Sequence, residues 1–551
     1  MPGVSTPTSN TVTGSAAPFS FNAAIDGLIG GRKWGSGLGA GVRLDYSFPT
    51  SSTNWIAGYG DGEPATLTPL DSTQQTAFAN ALGAWSSVAN LQFTKVVDSP
   101  TVVGDIRAAS TRVSGILDAQ AYAYSPGGNP VAGDVWFNAT AYWDGYALGT
   151  FGFLTYVHEQ GHALGLSHPF EGNKALAYPA AEECYDYTVM SYSAVAGSAN
   201  SDVNFYPTTP MMNDIAVMQY LYGANTSYHA GDDTYVYYQG QSYYQTIWDA
   251  GGNDTIRWEA LATGTPQGAT IDLRPGHWSA LGNPLFRTDS SGRALGQSAN
   301  TVAIYSTVAI ENAIGSFGND TLVGNELSNR LEGGGGNDWL TGGGGNDVLL
   351  GGAGYDWAVF SGPRTVYTVT RAANQLTVRD PTGKDGADQL TDVERLVFSD
   401  GYFAMDVGKD EAAGKTALLV GATLGLAGFA NTFVVGSVIH YFEATVTISV
   451  NGLSTVANPT LLMAAQFLVN NGITESLAGG PGNAKFVSLI YNNLVGAAPD
   501  AATLAMLTGL LDSGQYNKAS LLAAAAELQL NQDHIGLTGL ATAGLLYLPF
   551  G

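Results

Sequence analysis

The chain has 551 residues, too many for one hydrophobic core, so two to four domains are expected. Its 46 acidic residues against 21 basic ones leave a formal charge of -25, which excludes the basic surface that nucleic acid requires and suits a protein that binds cations. A single cysteine, Cys184, permits no internal disulfide and is read as a buried free thiol, while 72 glycines, about twice the average share, are clustered and point to a repeat.

Residues 1–17 are rich in Ser, Thr, Pro and Gly and read as a flexible N-terminus or short pro-segment. Met1 to Phe21 has neither the basic run nor the apolar run of a secretory signal peptide, so export calls for another route. From Asn22 the pattern becomes globular. Apolar residues at helical spacing predict a helix over Gln74 to Asn90, and alternation predicts a strand over Leu91 to Val97. Gly133 to Asn138 is a second short strand, and Phe151 to Leu164 is a helix with Phe151, Leu154 and Val157 on its buried side.

That helix carries the chemistry. His158-Glu159-Gln160-Gly161-His162 places two imidazoles four residues apart, on one helix face, where they can grip a single metal ion. Glu159 stands beside the first ligand, where a carboxylate can take a proton from water on the metal. Gly165 ends the helix by taking a left-handed conformation, and the reversal brings His168 round as third ligand. Three of the seven histidines fall here; His229, His277, His440 and His534 are scattered and read as surface or core residues. The motif resembles that of the metzincin zinc peptidases, which also need a downstream Met-turn, and Tyr187-Thr188-Val189-Met190-Ser191-Tyr192 supplies one. In a metzincin-like fold the strand holding Val135, Trp136 and Phe137 borders the cleft and pairs with an extended substrate.

After Tyr222 the sequence turns to short β-like runs. A nine-residue period begins at Gly315 and repeats from Gly324, Gly333, Gly342 and Gly351, matching a calcium-binding β-helix nonapeptide. Each copy supplies a turn, with carbonyls such as those of Gly333, Gly335, Gly342, Gly344 and Gly351 and carboxylates at Asp320, Asp338, Asp347 and Asp356 facing calcium. A three-residue strand follows, its central apolar residue (Leu322, Leu331, Leu340, Leu349, Ala358) filling the core. Turns two repeats apart stack; Asn329 in place of Asp weakens the second row at the Gly324 turn. Asp254 closes an isolated extra calcium turn, and Asp388 with Val393 to Phe398 closes the β-domain.

From about Gly408 the chain is Ala/Leu-rich. Ala417 to Ile439 is uncharged and long enough to span a bilayer, but four glycines and an Asn431-Thr432 break make it two short packed helices, with no membrane span expected. Zinc motif, Met-turn and nonapeptides in one chain resemble the serralysin-type metalloproteases. Asp26 to Gly31, Gly133 to Asn138, Met211 to Ala216 and Leu221 to Asn225 agree, over roughly residues 20–405. The resemblance implies an extracellular endopeptidase with protein substrates, exported by type I secretion machinery through an uncleaved C-terminal signal. It also implies Tyr192 as a further zinc ligand that swings away to stabilise the tetrahedral intermediate. Met190 is expected as an apolar floor beneath the metal.

The sequence departs from the family at Gln160, where an aliphatic residue is usual, and in its ending, which lacks the acidic-plus-apolar signature. The helical part over 485–530 is similar to a domain of unknown function appended to secreted calcium-binding proteins. The expected architecture is multidomain: a metzincin-like α+β zinc protease domain (18–225), a parallel β-roll/β-sandwich calcium-binding RTX domain (226–407) and an all-α C-terminal module (408–551). Cofactors are Zn2+ and Ca2+. Glu159 assists attack of zinc-bound water on a peptide, calcium couples folding to export from the cell, and the helical tail docks a cell-surface or S-layer partner. The alternative is a calcium-dependent surface or adhesion protein whose protease domain is inactive; an intact Glu159 and three histidines argue against it.

Overall fold

A computed structural model of the chain describes residues 12–50, 55, 58–113, 119–171, 176–261, 265–450 and 453–549. The chain divides into two compact units, Met1–Ile314 and Gly315–Gly551. Of the segment expected to be flexible, residues 1–11 lie outside the described residues, and Gly14–Ala16 pairs antiparallel with Arg32–Trp34.

In the first unit a five-stranded sheet is built from β1 (Val42–Ser47), β2 (Leu91–Lys95), β3 (Ile106–Thr111), β4 (Ala121–Ala123) and β5 (Val135–Asn138) in the order β2-β1-β3-β5-β4. All neighbours are parallel except the last pair. Helix α1 (Ser72–Val88) starts at a capping box in which Asp71 and Gln74 exchange side-chain and backbone bonds, and buries Phe78, Leu82 and Trp85. It grips helix α2 (Phe151–Ala163) through two long-range bonds: Trp85 Nε1 donates to the Val157 carbonyl at 3.0 Å and Gln160 Nε2 to the Phe78 carbonyl at 2.8 Å. Gln160 thus faces α1, away from the metal face of its helix. Helix α3 (Met212–Tyr222) precedes a parallel run of β6 (Thr234–Tyr238), β7 (Thr255–Glu259) and β8 (Asn312–Ile314).

In the second unit the repeats alternate between two parallel sheets. One holds β9 (Thr321–Val323), β11 (Trp339–Thr341) and β13 (Trp357–Val359); the other holds β10 (Arg330–Gly335) and β12 (Val348–Ala353). Leu322 aligns with Leu340 and Leu340 with Ala358, while Leu331 aligns with Leu349, and all five are fully buried. The three-residue strands owe their stability to this stacking, since no single repeat could bury its own apolar residue. The second sheet continues through the hairpin of β14 (Thr368–Ala372) and β15 (Gln375–Arg379) and through β16 (Ala387–Thr391). The first continues through β17 (Arg395–Phe398) and β18 (Gly401–Ala404), and its edge strand is β19 (Leu545–Tyr547).

The C-terminal region is helical but not all-α. A hairpin pairs Val446–Val450 with Leu453–Ala457, and β19 returns to the sheet after the helices, with Leu545 and Tyr547 inside the same apolar core as Phe442, Phe486 and Leu522. Strands of five and three residues leave little periodicity in an Ala/Leu-rich text, which is why composition alone reads as helix. Buried Arg395 ties strand to helix by bonding Asp406 and Glu443. Ala417 to Ile439 falls across two helices, Ala412–Leu424 and Thr432–Glu443, and no helix among the described residues is long and apolar enough to cross a membrane.

Candidate active site

Helix α2 is fixed at both ends. Asp144 accepts from the Phe151 and Gly152 amides, both at 3.0 Å, and the Thr150 hydroxyl accepts from Phe153, so donors with no partner inside the helix are satisfied. At the other end, Trp34 Nε1 donates to the Ala163 carbonyl and the Tyr222 hydroxyl to the Leu164 carbonyl, at 2.8 and 2.7 Å. Gly165 then turns with φ of 109°, and a side chain there would strike the Arg32 carbonyl at 2.3 Å. The segment after it is held by backbone bonds of 2.8 Å from Gly30 to Gly165 and 2.9 Å from Ser167 to Leu28. Residues Leu28 to Gly30 therefore set the position of the third histidine from far away in sequence.

The result is a convergence of imidazoles. His168 Nε2 lies 3.1 Å from His158 Nε2 and 3.0 Å from His162 Nε2. The other ring nitrogens are occupied: His158 Nδ1 faces the Val189 carbonyl at 2.8 Å, His162 Nδ1 the Leu166 carbonyl at 3.0 Å, and His168 Nδ1 the Glu171 carboxylate at 2.5 Å. A carbonyl only accepts, so Nδ1 of His158 and of His162 carries the proton and each Nε2 presents a lone pair. Burial, then the neighbouring His162 and His168, hold His158 well below its usual pKa and keep it neutral. Lone pairs aimed at one another at such distances repel unless a cation lies between them, so these residues fit a divalent metal. The Tyr192 hydroxyl joins the same point, 2.7 Å from His168 Nε2.

Met190 is fully buried against α2; a side chain on Gly161 would meet its sulfur at 2.6 Å. The Met-turn is pinned by a residue that lies outside the motif. Buried Asp214 accepts from the Thr188 hydroxyl at 2.6 Å, the Val189 amide at 2.8 Å and the Met211 amide at 2.9 Å. Since Val189 also receives His158, Asp214 acts on a ligand through one residue. Its burial pushes the carboxyl up to about 7 against the pull of those three donors. Cys184 is buried nearby in the chain and unpaired.

Beside the cluster lies a cavity of about 360 Å³ whose lining includes His158, Glu159, Tyr192, Leu154, Tyr185 and Asn200. Glu159 Oε2 is buried without a hydrogen-bond partner, and burial raises the carboxyl to about 8. Ala119, Gln120 and Ala121 form the cavity's strand side. This corrects the expected substrate strand. Val135, Trp136 and Phe137 sit in β5, buried and paired on both edges by β3 and β4, so their backbone has no free donors or acceptors for a peptide. On that side of the sheet the edge among the described strands is β4.

A second kind of site recurs in the repeat turns. The Asp320 amide donates to Asp338 Oδ1, the Asp338 amide to Asp356 Oδ1 and the Asp356 amide to Glu394 Oε2, at 2.8, 2.8 and 3.0 Å. On the opposite row the Asn329 amide donates to Asp347 and the Asp347 amide to Asp388, at 2.8 and 2.9 Å. The other oxygen, Oδ2, of Asp338, Asp347 and Asp356 is buried with no partner. Burial raises these carboxyls, to about 7 for Asp338 and about 6 for Asp347 and Asp356. Stranded carboxylate oxygens crowded by backbone carbonyls are the donor set of a hard cation such as calcium. The carbonyls of Gly333, Gly342 and Gly351 press against the turns at Gly315, Gly324 and Gly333, while Gly335 and Gly344 donate their amides to Ser316 and Asn325 at 2.7 and 2.9 Å. Left-handed Gly334 and Gly336 (φ of 108° and 104°) alternate with these positions. At the Gly324 turn the side-chain oxygen of Asn329 accepts from the Asn325 amide at 2.7 Å.

In the first unit Asp254 repeats the pattern: its carboxylate accepts from the Asp233 amide and its own amide donates to Glu311, both at 2.8 Å, with Oδ2 stranded. His229, which the sequence alone leaves isolated, lies close to Asp233 and Asp249.

The Matrixin family model matches residues 64–191, and the RTX calcium-binding nonapeptide repeat matches residues 323–358 in four copies. A matrixin domain carries zinc and these repeats carry calcium, which the histidine cluster and the aspartate rows suit. The chain is 35% identical to serralysin of Proteus mirabilis over 326 residues, 53% of this chain and 62% of that protein. It is 35% identical to serralysin B of Dickeya chrysanthemi over 342 residues, 57% of this chain and 66% of the relative. With a serralysin C of the same organism it shares 36% over 357 residues, 56% of this chain and 70% of the relative. The chain thus spans less than two thirds of the length of the first two relatives.

Proposed function

Because the chain belongs to the serralysin family of metalloproteases, we propose that it is a secreted, calcium-stabilised zinc endopeptidase acting on proteins. The observation that carries this reading is the convergence of three Nε2 lone pairs beside a buried, unpartnered Glu159 oxygen in a cavity. His158, His162 and His168 would hold the metal. When bound, zinc supplies a Lewis acid that polarises the scissile carbonyl and makes water acidic enough to attack near neutral pH.

The chain's own residues do the rest. An extended substrate adds to the free edge of β4, where Ala121 and Ala123 offer backbone groups on the side away from β5. One substrate side chain enters the cavity between Leu154, Tyr185 and Asn200. Glu159 takes the water's proton at Oε2, which is buried without a partner and free to accept it, and returns it to the leaving amine. Burial, then Glu159 and Glu171, push the Tyr192 phenol up to about 12 in the metal-free protein, and the side chain is half-exposed with room to rotate. Its hydroxyl, 2.7 Å from His168 Nε2, would help to hold the metal, and once rotated away it would donate a hydrogen bond to the carbonyl oxygen as that atom gains charge. Met190 supplies the apolar floor.

The architecture proposed with this function is a protease domain over 18–225, a calcium-loaded roll over 226–407 and a mainly helical module over 408–551. Calcium would occupy the rows of Asp320, Asp338 and Asp356, of Asp347 and Asp388, and the Asp254 turn, so that the slack chain folds on reaching calcium outside the cell. Export by type I machinery and docking of the helical module to a surface layer complete the proposal. The adhesion alternative has no observation in its favour. The test is casein hydrolysis by wild type and Glu159→Gln at saturating calcium and zinc. The variant is expected to retain zinc and lose about 10²- to 10⁴-fold in rate. Equal rates would refute the proposed base.

A further inference from the structure

His168 differs from its two partners in what surrounds it. His158 and His162 are braced by backbone carbonyls and belong to α2, whereas His168 follows the Gly165 turn and is flanked by side chains. Glu171 holds its Nδ1. Phe170 lies flat against its ring, with centroids 4.9 Å apart and planes inclined by only 7°. The Phe170 ring also meets Tyr192, at 5.1 Å and 53°. Despite these two neighbours the Phe170 ring remains 48% exposed, and Tyr192 beside it is 47% exposed.

A phenylalanine whose only task was to brace a ligand would bury most of its ring, because burial is where an aromatic side chain gains its free energy. Phe170 instead keeps one side open to solvent. It is also absent from the lining of the cavity beside Glu159, which includes Tyr192 but neither His168 nor Phe170. Two apolar receptors thus share the reaction centre, a recess lined by Phe151, Leu154 and Tyr185 and an open ring beyond His168. Successive side chains of an extended peptide point to opposite faces and advance by roughly 3.3 Å per residue. A chain with its scissile carbonyl over the imidazoles therefore presents one side chain to the recess and a different one to the ring.

We propose that Phe170 is a specificity-determining residue of this protease: its exposed face selects an aromatic or large apolar substrate side chain at a position other than the one that enters the cavity. The inference rests on the endopeptidase reading. The selecting interaction is one offset or edge-to-face aromatic pair, present in the bound substrate and in the transition state alike. It therefore acts mainly through KM and leaves kcat nearly constant.

The experiment uses the full-length, zinc- and calcium-loaded protein and a set of quenched fluorogenic peptides that differ by one residue at a time on each side of the scissile bond. Wild type is expected to prefer Phe, Tyr or Trp over Ala at one position outside the cavity by about two- to tenfold in kcat/KM. Phe170→Ala should abolish that preference by raising KM for the aromatic peptides far more than for the Ala peptides, with zinc content retained, whereas Phe170→Tyr should preserve it. A Phe170→Ala variant that slows every peptide equally, or that loses zinc, would assign Phe170 a purely structural role and overturn the inference. So would wild type that cleaves all peptides without such a preference, while leaving the endopeptidase reading intact. Wild type inert on every peptide, with zinc bound, would instead bring down the endopeptidase reading and the inference with it.

Discussion

The histidine cluster and the aspartate rows are both ion sites, built on opposite terms. Around the histidines the protein does the positioning. Carbonyls of Val189 and Leu166 fix two rings, and Asp214 pins the turn behind the first. Trp34 and Tyr222 hold the helix end. Remove the ion and these bonds remain. In the repeat turns the protein supplies donors and little to neutralise them: Asp338, Asp347 and Asp356 each keep a buried oxygen that nothing bonds. Remove the ion and the carboxylates stand in low dielectric facing carbonyls, a cost that falls on the fold itself. The first site uses a finished scaffold; the second is part of what makes the scaffold stable.

The largest effect expected from this contrast is the response to calcium withdrawal. Chelating calcium should strongly lower the thermal transition of the unit 315–551, read by calorimetry, and pH should set how far it falls. The carboxyls of Asp338, Asp347, Asp356 and Asp388 have folded values raised to about 7, 6, 6 and 8, above those of the unfolded chain. The folded calcium-free state therefore binds more protons than the unfolded one, and its stability falls as pH rises from about 4 through 8. Calcium affinity should rise across the same window, because the protons it displaces become easier to remove. A calcium-free unit that gained stability with rising pH would break the comparison.

A smaller effect sharpens the other half. Asp214→Ala leaves the Thr188 hydroxyl and the Val189 and Met211 amides without their acceptor, at a cost of about 2–4 kcal/mol in denaturant unfolding. It should also weaken zinc binding, measured by competition with a chelator. An unchanged zinc affinity would mean that the Met-turn holds His158 without help from Asp214.

The sequence carried the histidine cluster because its information is local. A spacing of four, a glycine and a reversal announce three converging rings, and the structure, with Leu28 to Gly30 holding the reversal, places the Nε2 atoms of His158 and His162 3.1 and 3.0 Å from that of His168. The repeat plugs were legible for the same reason, each Leu standing at a fixed offset in a nine-residue period. What escaped were features fixed by distant chain. Whether β4 or β5 is the edge depends on β3, not on residues 133–138, so those residues alone point to the wrong strand. Glu394 ends an aspartate row after a detour through the β14–β15 hairpin, which breaks the period that would have revealed it. Asp214 and Leu28–Gly30 lie in segments that the family resemblance picks out, but their contacts with the Met-turn and the Gly165 turn span long stretches of sequence and so were not legible, and β19 is too short to announce itself.

The most direct test removes zinc alone. With calcium held at saturation, a zinc-selective chelator should abolish casein hydrolysis while the thermal transitions of both units persist nearly unchanged, and added zinc should restore the rate. Hydrolysis that survives complete zinc removal would contradict the proposed chemistry, and unfolding of the first unit on zinc removal would contradict a preassembled site.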